Sequence, residues 1–466
     1  DRITHPAQIL QSLPQALGVL LDPADCGPAF IGLPQDVQGW TYDYPVSFFE
    51  PVVHRVRAIM PDPVELEQAA QALAKAKTPL IIAGGGVQYG DAIEELRAFA
   101  ERHQIPVVET IAGRANLLWD HPLNCGPIGV TGSESANNLA NLADVVLCVG
   151  TRLQDFTTGS WSVFALESAL IKINPARFDA LKHRGTAVVA GAKESLPALS
   201  ALMGAFHSSP AWLATAAHEN ASWALIRARN TDSQQGPNRY AQVIGVINGM
   251  CSPEDRIVAA AGGLPAELAA NWRTLATSSV DIEFGFSCMG YEIAGGWGAR
   301  IAQSETQPDS DTIVWTGDGS YLLMNSDIYS AVLTEKKLII MVLDNGGFAV
   351  INKLQKGKGN ESYNNLIADT PTASNQHRVD FAAHAQSMGA TSERVDTVDQ
   401  LQAAFLRAKA STNTYVIVMN VDPYDGWTTE GHAWWEVGTP AISNSASVTA
   451  GHKEVESGRA RQRKGV

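Results

Sequence analysis

At 466 residues the chain is too long for one compact core, and a soft allowance of about 150 residues per domain predicts about three units. With 45 % apolar and 18 % charged residues it is globular and not disordered. A net charge of −14 excludes a nucleic-acid binder, which needs a concentrated basic face, but leaves room for a small anion in a local pocket.

Residues 1–50 read as the end of a domain whose other strands lie upstream of Asp1. Ala7 to Leu21 has helical apolar spacing, and Gly27 to Pro34 reads as a short buried strand. Residues 51–205 form an α/β unit. Its predicted strands are Pro79–Ala83, Ile105–Thr110, Asp144–Gly150 and Ala169–Ile173, with helices over Val64–Ala76 and Ala92–His103. Residues 206–240 are polar and read as a linker with one helix. From 241 to 425 the pattern returns, with strands predicted at Arg256–Ala260, Thr312–Thr316, Leu338–Leu343 and Tyr415–Asn420. Strands alternating with helices imply doubly wound parallel sheets in a multi-domain α/β fold. Residues 426–466 read as a C-terminal lid and tail, with positive charge clustered only from Arg459 to Lys464.

Cys26, Cys125, Cys148, Cys251 and Cys288 include no CxxC pair, which argues against a disulfide framework or a zinc site and fits a reducing cytoplasm. No apolar run approaches the roughly 18 residues a membrane span needs, and no signal peptide is visible. The expectation is a cytoplasmic protein without nucleic-acid or membrane partners.

The segment with the most chemistry is Thr312 to Ser320, a buried strand that ends in Gly317-Asp318-Gly319-Ser320. A helix is predicted from there through Met324 to Leu333. The strand Leu338–Leu343 then ends in Asp344-Asn345-Gly346-Gly347. Two parallel strands joined by a helix bring both turns to one sheet edge. Either turn alone is ordinary turn chemistry. Together, Asp318, Asn345 and the carbonyl of Gly347 offer the oxygens Mg²⁺ prefers, with diphosphate completing the shell. Gly317 and Gly319 allow close backbone approach, and the following helix offers free N–H groups to an anion.

At these residues the sequence resembles the thiamine-diphosphate enzyme superfamily. Further matches are Ala83-Gly84-Gly85-Gly86, His121-Pro122, Val149-Gly150-Thr151-Arg152 and Gly285 to Tyr291. The resemblance implies that residues 1–50 end a pyrimidine-binding domain, that 51–205 are the middle domain and that 241–425 bind diphosphate and Mg²⁺. It further implies that Asp318, Asn345 and Gly347 hold the metal, and that Met289 wedges between the cofactor rings. The Ser287 carbonyl and Met289 N–H would hold the aminopyrimidine edge, with Gly262-Gly263, Gly317, Gly319 and Ser320 around the diphosphate. Where many members carry Asn-Asn this chain has Asp344-Asn345, and Asp344 is expected to cap the loop. The glutamate that activates the cofactor has no match here. It is expected upstream of Asp1, reaching the site across the interface of a homodimer or homotetramer, and the 466 residues alone are expected to be inactive.

Within the superfamily, Gly317 to Ile328, Asp344 to Gln355, Ala260 to Pro265 and Gly431 to Val437 resemble the trihydroxycyclohexanedione hydrolase branch of inositol breakdown. That branch implies thiamine-dependent hydrolytic cleavage of a carbon–carbon bond in a cyclic polyhydroxy diketone, giving 5-deoxyglucuronate. Phe348, Asn352 and Gln355 are candidate substrate contacts. His432, Trp434 and Trp435 belong to the candidate lid, with packing as their plainer role. The alternatives are a carboligase of the acetohydroxyacid synthase or glyoxylate carboligase type, and an inactive cofactor-binding module. A nicotinamide dehydrogenase is excluded by the spacing of Gly84-Gly85-Gly86. Nothing in the middle domain demands a flavin.

Overall fold

The computed structural model describes residues 1–232, 238–370, 378–422 and 433–465. Two six-stranded sheets organise the chain, and every strand pairing in them is parallel. The first holds β1 (Pro79–Ala83), β2 (Val107–Glu109), β3 (Asn124–Pro127), β4 (Val145–Val149), β5 (Ala169–Ile173) and β6 (Thr186–Val188), in the order β3-β2-β1-β4-β5-β6. The second holds β7 (Arg256–Ala259), β8 (Val280–Ile282), β9 (Thr312–Gly317), β10 (Ile339–Asp344), β11 (Thr391–Val395) and β12 (Tyr415–Asn420), in the order β11-β12-β10-β9-β7-β8.

The central strands are mostly apolar because helices cover both faces of each sheet. Alternate residues go to opposite cores. Ile81 and Ala83 pack on one side of the first sheet, Leu80 and Ile82 on the other. In the second sheet Ile339, Met341 and Leu343 face one core, Ile340 and Val342 its opposite. Among the described residues, no helix is long and apolar enough to cross a membrane.

Three sequence expectations about elements need correction. Gly27 to Pro34 forms no strand: its one ladder contact is the isolated bridge Arg2↔Gly32, and Phe30 is 80 % exposed. The segment is apolar, but among the described residues no sheet edge lies beside it to pair with. The helix expected through Met324 is two helices, Asp318–Leu323 and Asp327–Leu333, because Met324 leaves the helical conformation (φ −146°, ψ 81°). The short edge strands β3, β6, β8 and β11 were not expected, since edge strands carry little apolar run to read.

The second sheet reverses its winding direction between β7 and β9. In an open α/β sheet, the turns at such a point diverge and leave a crevice beyond the carboxyl ends of the strands. The turns after Ala259 and Gly317 lie there. The pairing Leu343↔Gly317 brings the end of β10 alongside.

Candidate functional site

A cavity of about 610 Å³ opens at this edge. Four turns line it. In Ala261-Gly262-Gly263, Gly262 has φ +100°, and among the described residues nothing stands within 4 Å of where its side chain would begin. Glycine is required there by backbone conformation and not by space. Gly263 starts the helix Gly263–Asn271. In the second turn, Ser287 (φ +55°) and Gly290 (φ +96°) are both left-handed, and Met289 between them lies 37 % exposed in the cavity wall.

The third turn, Gly317 to Ser320, carries Asp318, which is 5 % exposed. Among the described residues its Oδ1 has no hydrogen-bond partner. Burial, reinforced by the charge of Asp344, pushes its pKa up to about 7, against the opposing pull of the Gly319 and Gly347 backbone amides.

The fourth turn spans Asp344 to Gly347. The Gly346 N–H donates to Asp344 Oδ1 at 3.0 Å and the Gly347 N–H to Asn345 Oδ1 at 3.1 Å, so Asp344 caps the turn. Asn345 Nδ2 donates to the Tyr240 hydroxyl at 2.6 Å. Gly347 has φ +144°, and a Cβ there would lie 2.4 Å from the Asn365 carbonyl oxygen. Asp344 is itself buried, and Arg378 at 2.8 Å and Arg394 at 3.9 Å offset its charge.

Above the turns the walls are apolar. A Cβ on Gly319 would stand 2.9 Å from Phe348 Cε1 and 3.1 Å from Met289 Cε, so both side chains converge over the third turn. Across from them, Phe156 packs against Phe284 and against Trp435, with ring centroids 4.8 Å apart in each pair. Trp435 Nε1 donates to Asp155 Oδ2 at 2.5 Å.

Gly262, Gly263, Ser287, Met289, Gly317, Asp318, Gly319, Ser320, Asn345, Gly347 and Phe348 all line this one cavity, as do Trp434 and Trp435. His432 lies outside the described residues. Asn352 and Gln355, the other candidate substrate contacts, do not line the cavity. Asn352 Nδ2 donates to Ser362 Oγ (2.6 Å) and Asp369 Oδ2 (3.2 Å). Gln355 donates to the Glu361 carbonyl and accepts from Asn365 Nδ2, both at 2.5 Å. The helix Ala349–Gly357 turns this face onto the segment 360–369 that follows it, and its other face, with Lys353 and Leu354, onto the cavity.

Sequence reasoning missed Phe156, Tyr240, Glu267 and Phe284, which reach the cavity from elements far apart in the chain. It also missed Lys353 and Lys358. Among the described residues, no group of three or more His, Cys, Asp or Glu converges as a metal site.

Residues 66–199 match the family model described as thiamine pyrophosphate enzyme, central domain, and residues 260–419 match that of the thiamine pyrophosphate enzyme C-terminal TPP binding domain. The chain is 36 % identical over 485 aligned positions to the 3D-(3,5/4)-trihydroxycyclohexane-1,2-dione hydrolase 2 of Bacillus cereus (strain ZK / E33L). That alignment covers 97 % of this chain and 74 % of the relative. Proteins named 3D-(3,5/4)-trihydroxycyclohexane-1,2-dione hydrolase from Bacillus anthracis and Bacillus thuringiensis (strain Al Hakam) align with the same identity and coverage. Two domain models matched in order, each on one of the two sheets, and relatives aligned over nearly all its residues show that this chain belongs to the thiamine pyrophosphate enzyme family.

Proposed function

We propose that the chain anchors thiamine diphosphate and Mg²⁺ in the cavity beyond β7, β9 and β10, and that the enzyme it forms opens a cyclic polyhydroxy 1,2-diketone by hydrolysis. The observation that carries the reading is Asp318. A buried carboxylate with one oxygen lacking a partner and a second carboxylate nearby is unfavourable by itself, and a divalent cation relieves both defects. The turns fit the anion as well. Gly262 and Gly347 have backbone conformations that suit glycine, and the space over Gly319 is closed to any side chain by Met289 and Phe348.

In this reading Asp318, Asn345 and the Gly347 carbonyl hold the metal. Gly262, Gly263, Gly317, Gly319 and Ser320 surround the diphosphate, and Met289 packs against the rings. The Ser287 carbonyl and the Met289 N–H take the aminopyrimidine edge. When bound, thiamine diphosphate supplies a carbon nucleophile and an electron sink beside a carbonyl. The apolar wall of Phe156, Phe284 and Trp435 lowers the local polarity, which strengthens charge interactions at the metal end. By family resemblance the activating glutamate comes from a second subunit, within a homodimer or homotetramer.

The substrate part of the reading is supported by the names of the relatives, which are hydrolases of trihydroxycyclohexane-1,2-dione. The net change adds one water across the bond between the two carbonyl carbons. One carbon ends as a carboxylic acid and its neighbour as an aldehyde, as in 5-deoxyglucuronate. The test is turnover of the cyclic dione by the natural full-length protein, with and without thiamine diphosphate and Mg²⁺, with Asp318→Ala as control. Ring opening that needs both and is lost in the variant supports the reading. Consumption of pyruvate or glyoxylate with the dione untouched overturns the substrate assignment in favour of a carboligase. No cofactor-dependent turnover and no cofactor binding overturn the whole reading.

A further inference from the structure

Residues 433–437 form one wall of the cavity, through Ala433, Trp434, Trp435 and Val437. Two of their side chains are held on the helix Ala446–Arg459. Trp434 packs on Gly458, where an added Cβ would stand 2.1 Å from Trp434 Cζ2, and Glu436 accepts from Arg459 Nε at 2.8 Å. Trp435, between them, turns onto Phe156 instead, with 4.8 Å between ring centroids and 38° between planes. The backbone on either side of it is tied to the first α/β unit. The Trp434 N–H donates to Ser162 Oγ at 3.0 Å and the Glu436 N–H to Ser160 Oγ at 2.9 Å.

Asp155 gathers these contacts. Its Oδ2 accepts from Trp435 Nε1 at 2.5 Å, and its Oδ1 accepts from the Ser160 hydroxyl at 2.9 Å. That hydroxyl is the one that receives the Glu436 N–H. Both carboxylate oxygens therefore act on Trp435 or on the residue after it. Asp155 itself is exposed and does not line the cavity. Ser160 (φ +48°) and Trp161 (φ +62°) hold left-handed backbone, which persists only where the surroundings fix it.

We propose that Trp435 is a specificity-determining residue, its indole face taking the C–H face of the cyclic substrate, and that Asp155 is the positioning residue that seats it. The inference rests on the reading of this cavity as the site of a cyclic polyhydroxy diketone. The ring hydrogens of such a compound are made electropositive by oxygens on the same and neighbouring carbons. The face of an aromatic ring is the negative part of its quadrupole, so the two attract. The indole N–H is the side chain's one donor, and Asp155 already occupies it. Trp435 thus offers the substrate an aromatic face and no polar group. Pyruvate and glyoxylate have no ring to lay against it.

The test uses the natural full-length protein with thiamine diphosphate and Mg²⁺, and compares wild type with Trp435→Ala, Trp435→Phe, Asp155→Ala and Asp155→Asn. KM and kcat are measured for the cyclic dione, cofactor affinity by calorimetry, and amide exchange at residues 434–436 without ligand. Trp435→Ala should raise KM about tenfold, with a smaller fall in kcat. Trp435→Phe keeps a ring but loses the bond to Asp155, and it and Asp155→Ala should each raise KM about fivefold. Asp155→Ala should also quicken exchange at the Glu436 amide. The asparagine amide can still accept from Trp435 and donate to Ser160, so Asp155→Asn should bring KM and exchange back to within about twofold of wild type. Unchanged KM in Trp435→Ala or in Asp155→Ala overturns the proposal. So does a loss of cofactor affinity as large as the rise in KM, which would make the wall a support for the cofactor or the fold. If Trp435→Ala does not fold, Trp435→Phe carries the test on the same readouts. Wild type that consumes pyruvate or glyoxylate and leaves the dione untouched overturns the substrate reading itself, and with it the role given to Trp435.

Discussion

Asp318→Asn keeps the volume of the side chain and removes its charge, so it separates what the residue does for a cation from what it costs the fold. In the ligand-free protein the carboxylate is 5 % exposed, its Oδ1 has no partner among the described residues, and Asp344 lies at the end of the adjoining strand. An unsatisfied buried polar group costs about 1–3 kcal/mol, more when charged. The amide still occupies the site, so about 1–2 kcal/mol should be recovered. For a domain of roughly 150–250 residues that amounts to a rise of about 2–8 °C in the thermal midpoint. Cation binding should move the opposite way. Loss of a charged partner costs about 3 kcal/mol, which is roughly a hundredfold in Kd. The assay is a thermal scan of both proteins without ligand and again with Mg²⁺ and thiamine diphosphate, followed by titration calorimetry. The expected pattern is a higher midpoint without ligand and little or no upward shift with it. A variant less stable than wild type when ligand-free, yet still shifted upward by the cofactor to the wild-type extent, would refute the reasoning about Asp318 at both steps.

Gly319→Ala gains about 1 kcal/mol of helix propensity but presses a Cβ to 2.9 Å from Phe348 and 3.1 Å from Met289. The thermal midpoint should stay near wild type while thiamine diphosphate affinity, read by calorimetry, falls about tenfold as both side chains are pushed into the cavity. Tyr240→Phe removes the 2.6 Å bond that holds the Asn345 amide, and Mn²⁺ affinity by spin resonance should drop about fivefold, the worth of one hydrogen bond near 1 kcal/mol. Lys172 is buried on β5 with no partner for its Nζ among the described residues, and burial lowers its pKa from 10.5 to about 8. Because the folded pKa lies below the unfolded one, its contribution to stability is present above about pH 10.5 and lost as pH falls through about 8. Lys172→Met should therefore be more stable than wild type at pH 7 by up to about 3 kcal/mol. The advantage should shrink toward pH 10.5 in denaturant titrations; an advantage independent of pH counts against the assignment.

The fold was legible where burial is simplest. β1, β4, β5, β7, β9, β10 and β12 are short, mostly apolar runs followed by turn-forming residues, and the spacing between them leaves room for crossover helices. β3, with Asn124, Cys125, Gly126 and Pro127, has none of that character and exists because β2 offers it an edge. Gly27 to Pro34 shows the converse. Its apolar residues suggest a strand, but a strand is a relation between two segments, and among the described residues the second is not there.

The candidate site divides along the same line. Residues such as Asp318, Asn345 and Gly347 sit in turns directly after strands, so their meeting point follows from parallel topology alone, and sequence order suffices to place them. The residues that steady those turns obey no such rule. Tyr240 reaches Asn345 from a helix 105 positions upstream, and the buried Glu292 carboxylate accepts from the Gly290 N–H at 2.9 Å. Nothing in the string Met289-Gly290-Tyr291-Glu292 marks the last residue as more than the acidic first turn of a helix, which is where an acid commonly belongs. Its burial is what distinguishes it, and burial is fixed by packing and not by the local string. Asn352 and Gln355 stand outside the cavity lining for a related reason. They follow the metal turn closely in sequence, but a helix presents two faces, and only packing against residues 360–369 decided which of them met the cavity. Ligand groups at strand ends can thus be read from order, whereas the groups that hold them in register can be read only from contact.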